Sequence, residues 1–62
     1  MKTIQVTTEL TEAEAYQYAQ WLKRVSFRDY RGSACSDDEA YTMRQAGERI
    51  RSALAEQGYA PR

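Results

Sequence analysis

The sequence predicts a mainly α fold of the α+β kind. An N-terminal β-strand at 2–8 precedes an antiparallel two-helix hairpin at 11–30 and 37–57, all in one small domain spanning 1–62. Three observations carry this. Ile4 and Val6 alternate with Thr3, Gln5 and Thr7, a period of two rich in β-branched residues. Two Ser/Thr-x-x-Glu patterns each precede apolar residues spaced three and four apart. Gly58 and Pro61 then close the second helical pattern.

The strand would be the only one in the chain. Both its edges would carry unpaired backbone groups. It must therefore pair with a second copy or with another protein.

Thr11-Glu12-Ala13-Glu14 opens the first helix as a capping box. Ala15, Tyr18, Leu22, Val25 and Asp29 then form a seam for one partner helix, flanked by Ala19 and Ser26. Gly32 is the expected stop, because glycine accepts positive φ. Ser36-Asp37-Asp38-Glu39 opens the second helix, with acids where the dipole favours them. Its seam is Ala40, Met43, Gly47, Ile50 and Leu54. Gly58 suits the position after the cap, and Tyr59 can fold back on Leu54. The short connection makes the helices antiparallel. Gly47 and the alanines permit their close approach.

The chain has 62 residues, nine of them Ala, five Tyr, and only seven Val, Ile or Leu. So small a core usually needs a staple or a partner. One Cys allows no internal disulfide, and with no His it offers no zinc set, so no metal or cofactor is expected. No apolar run approaches the length of a membrane span, and the start of the chain has no apolar signal region. Cys35 fits a reducing cytoplasm. Nine basic residues balance nine acidic ones, against a general nucleic-acid coat.

Catalysis has little support. The absence of His removes the commonest general base. Asp37 and Asp38 near Cys35 disfavour a thiolate. Asp37-Asp38-Glu39 lacks the spacing of a calcium loop and reads as helix capping.

The surface is more informative. Lys23, Arg24, Arg28 and Arg31 against Asp29 give a net charge of +3, and Asp37, Asp38 and Glu39 give −3 at the same end of the hairpin. The basic stretch interleaves with Phe27 and Tyr30. On one continuous helix centred on Leu22, Trp21 lies near about −100°, Tyr30 about +80°, Tyr16 about +120° and Phe27 about +140°. One partner helix cannot cover that arc. Tyr41 falls opposite the second seam, beside Arg44. Aromatics and Arg are the usual anchors of protein interfaces. The expected partner-binding residues are Tyr16, Lys23, Phe27, Arg28, Tyr30, Arg31, Tyr41 and Arg44.

The order strand, helix, helix resembles ribbon-helix-helix DNA-binding proteins, which dimerise through the strand. That resemblance implies a homodimer whose Thr3, Gln5 and Thr7 face the major groove, with Ile4 and Val6 facing the core. The balanced charge places this DNA-binding regulator second.

The stretches Trp21-Leu22-Lys23-Arg24-Val25, Asp38-Glu39-Ala40-Tyr41, Ala53-Leu54-Ala55-Glu56 and Gly58-Tyr59-Ala60-Pro61-Arg62 are similar to those of small orphan proteins of bacterial phages and plasmids. Such proteins include anti-defence proteins and anti-CRISPR inhibitors. The resemblance implies a cytoplasmic protein of the bacterial host cell that binds a large defence complex, such as a CRISPR effector. The expectation is therefore a small non-enzymatic module that sterically inhibits a larger protein complex, with no membrane role.

Overall fold

The computed structural model describes residues 2–61. They form α1 (Glu12–Arg24), α2 (Phe27–Ser33) and α3 (Asp37–Glu56). Both α1 and α2 pack against α3.

No strand occurs among the described residues, which corrects the expected α+β class. Residues 2–11 form an irregular, exposed arm, with Ile4 83% and Val6 78% open. The alternation of Ile4 and Val6 is present, but a strand needs ladder partners, and the described residues supply none. Thr3, Gln5 and Thr7 therefore lie on this exposed arm and not on a strand.

The first helix begins as its sequence dictates. Thr11 Oγ1 accepts from the Glu14 amide at 3.1 Å, and Glu14 Oε1 accepts from the Thr11 amide at 2.9 Å. It ends earlier than expected. Val25 is extended, with φ −64° and ψ 131°, and its N–H still donates to the Trp21 carbonyl. Ser26 then caps a new helix. Its Oγ accepts from the Asp29 amide at 3.4 Å, and Asp29 Oδ2 accepts from the Ser26 amide at 2.9 Å. The Ser26 hydroxyl also donates to Asp29 Oδ2 at 3.0 Å. The expected helix 11–30 is thus two helices, because a capping box inside the segment competes with continuation.

Gly32 is not the stop. It lies inside α2, and Gly58 is the only described residue with left-handed φ. Instead α2 ends where Ala34 turns extended, and Arg31 Nη1 donates to the Ala34 carbonyl at 3.0 Å.

At the start of α3, Ser36 Oγ accepts from the Glu39 amide at 3.2 Å. Glu39 Oε1 reaches past the cap to the Cys35 amide at 3.4 Å, so only half of the expected box forms. The far end is a full Schellman closure. Gly58, at φ 97°, donates to the Ala55 carbonyl, and Tyr59 donates to the Leu54 carbonyl at 2.9 Å.

The buried hydrophobic side chains are Ala15, Ala19, Leu22, Ala40 and Leu54, with Tyr59 packed against the cluster. Gly47 is buried beside Leu22 and Tyr30. Of the expected seams, Tyr18 and Ile50 remain about half exposed, at 44% and 46%. The small residues let the helices approach, and the larger neighbours are displaced to the rim.

Candidate protein-binding surface

The break at Val25–Ser26 decides where the aromatics go. A continuous helix would project Phe27 and Tyr30 outward. The restart at Ser26 turns α2 back onto α3. Phe27 stacks on Tyr41, with ring centroids 4.5 Å apart and planes at 28°. Tyr30 reaches Gly47, and its hydroxyl occupies the place of the missing side chain. Phe27 and Tyr30 are therefore half-buried within the chain, and Tyr41 is not left pointing away from α2.

Burial raises the Tyr30 phenol above its ordinary range. Glu48 and Tyr18 add to that, and Arg44 acts against it. The Asp29 carboxyl is held below its ordinary range, first by the backbone hydrogen bond from Ser26, then by its hydroxyl, with a smaller contribution from Arg28. Asp29 thus serves first as a helix cap and only secondarily as a counter-charge for the basic stretch.

Arg31 is also engaged. Its Nε donates to Asp37 Oδ1 at 2.6 Å across the α2–α3 connection. This pair joins the two charge poles seen in the sequence. Exposure of both side chains keeps its contribution small. Arg24 donates to Gln20 Oε1 at 2.6 Å, an uncharged partner.

Among the described residues, Lys23, Arg28 and Arg44 have no ion-pair partner. Tyr41 and Arg44 line one open depression with Gln45, Glu48 and Arg49. The structure thus brings Phe27, Tyr41 and Arg44 together, with Arg28 next to Phe27 in the chain. Tyr16 and Lys23 stand apart on α1, both exposed.

A second apolar region was not singled out by the sequence pattern. Tyr18 and Trp21 stack at 5.5 Å with planes at 20°. Trp21 borders a groove of about 630 Å³ with Val25, Tyr30 and Met43. Tyr18 borders another of about 600 Å³ with Val6, Ile50 and Leu54. The signal was available: Tyr18 and Ile50 are too bulky for a seam in which Ala and Gly set the spacing.

No group of three or more His, Cys, Asp or Glu among the described residues is arranged to hold a metal ion. No described helix is long and apolar enough to cross a membrane. The chain belongs to a family of unknown function, DUF7706, whose model matches residues 1–62. No curated protein and no solved structure matches it.

Proposed function

We propose that this chain is a non-enzymatic protein-binding module that acts by covering a surface of a larger protein complex. The observation that carries the reading is the Phe27–Tyr41 stack, with Arg44 sharing a depression with Tyr41 and Arg28 next to Phe27 in the chain; neither Arg has an ion-pair partner among the described residues. Stacked aromatics are rigid and lose little freedom on docking, and neighbouring guanidinium groups seek acids on a partner. The lack of any histidine supports a binding role over acid–base catalysis. The likeness to phage and plasmid anti-defence proteins supplies the class of target: a bacterial defence complex such as a CRISPR effector, met in the cytoplasm of the host cell.

The test is capture of partners by the tagged chain from a bacterial lysate, with and without nuclease. The reading expects a stoichiometric protein partner that survives nuclease. Recovery that depends on intact nucleic acid, or no stoichiometric protein, would count against it.

A further inference from the structure

We infer that the face built by Tyr18, Trp21 and Ile50 is covered by a second copy of this chain, related by a two-fold axis passing close to the Tyr18–Trp21 stack. Trp21 is 50% exposed, and Ile50 is similarly open. This apolar strip lies between the two grooves described above, Trp21 bordering one and Tyr18 and Ile50 the other. A two-fold contact is self-complementary: whatever one end of the face offers, the other end must receive.

The charges at the two ends meet that condition. Arg24 borders the Trp21 groove, and Glu56 borders the Tyr18 groove. Among the described residues, Arg24 is hydrogen-bonded only to the neutral Gln20, so none of them cancels its charge. Asp29, the acid in the same groove, is committed to Ser26. Laying the Trp21 groove of one copy over the Tyr18 groove of the other sets Arg24 against Glu56 twice, once on each side of the axis. Trp21 of each copy would then meet the Tyr18–Ile50 side of its partner.

The arm carrying Val6 forms one wall of the surface to be covered. Balanced charge removes the net repulsion that would oppose self-association. This face is separate from the Phe27–Tyr41 cluster, so the inference does not depend on the proposed function.

Sedimentation equilibrium on the 62-residue chain tests it, with emission of Trp21, the only tryptophan, as a second readout. The expected result is a dimer whose Trp21 emission shifts to longer wavelength on dilution. Trp21→Arg should weaken the dimer by about thirtyfold or more, as loss of a central anchor does, while circular dichroism shows the helices retained. Arg24→Glu and Glu56→Arg change exposed side chains outside the buried cluster. Each alone should weaken the dimer, while the double variant, or a mixture of the two single variants, should restore it. A chain that stays monomeric at every concentration would overturn the inference. So would a dimer indifferent to Trp21→Arg and to both charge reversals, or oligomers that grow without closing. A monomer whose Trp21 emission shifts only when another protein is added would assign the face to a foreign partner and equally overturn it.

Discussion

The hydroxyl of Tyr30 on α2 fills the space that a Cβ at Gly47 of α3 would occupy. Leu22 of α1 lies 3.6 Å from the same point. All three helices therefore meet at one glycine, and Tyr30 is the piece that fits into it.

The fit predicts a change of sign. Gly→Ala in a helix interior gains about 1 kcal/mol, whereas forcing extra volume into a packed contact costs about 1–3 kcal/mol. Gly47→Ala alone should destabilise the chain by about 1 kcal/mol. In a Tyr30→Ala background it should stabilise by about 1 kcal/mol. Urea unfolding of the four proteins measures the coupling. The same effect in both backgrounds would show that Tyr30 does not rest on Gly47.

The same contact predicts an alkaline weakness. Burial, with help from Glu48 and Tyr18, raises the Tyr30 phenol above 10.0. The folded chain then holds that proton more tightly than the unfolded chain. Its contribution is complete below pH 10 and is lost as pH rises through the folded value. Tyr30→Phe should flatten the stability profile in that range, read by thermal unfolding at a series of pH values. An unchanged slope in the variant would assign the weakness to another group.

The cap of α2 predicts an acid weakness. The Asp29 carboxyl is depressed below 3.8 by its hydrogen bonds to Ser26. Its contribution is present above that value and is lost as pH falls through the folded one. Below pH 3.8, α2 should fray before α1 and α3, seen as early loss of protection at amides 27–33. Ser26→Ala should cost about 1 kcal/mol at neutral pH. Equal protection of all three helices in acid would contradict the assignment.

Gly58 at φ 97° closes α3 and seats Tyr59 on the core. Gly58→Ala should cost about 1–2 kcal/mol through the left-handed backbone alone, while Gly32→Ala, in ordinary helix, should be neutral or stabilising. Comparing the two thermal midpoints checks this. Equal losses would show that the conformation of Gly58 is not what matters.

Helix starts and stops were legible where side-chain chemistry is local. Thr11, Ser36 and Gly58 act within a few residues of themselves, and their roles follow from short patterns. The same logic applied to Ser26-Phe27-Arg28-Asp29 would have found the break, but the apolar seam running through Val25 masked it. Tertiary relationships were less legible. Phe27 and Tyr30 face outward only if one helix runs for 20 residues from Thr11 to Tyr30, and the break brings both onto α3. Ile4 and Val6 show the limit of periodicity: alternation states which residues share a face, and only a partner makes that face a strand. The charge poles were visible in sequence, but the Arg31–Asp37 pair depends on how α2 meets α3.

The most direct measurement of the functional account is partner capture by an Arg28→Glu/Arg44→Glu variant beside the unchanged chain. These substitutions leave the Phe27–Tyr41 stack intact, whereas Phe27→Ala would also loosen α2. With helicity and thermal midpoint held, the account predicts that the stoichiometric protein partner recovered by the unchanged chain is lost. Undiminished capture by the folded variant would contradict it.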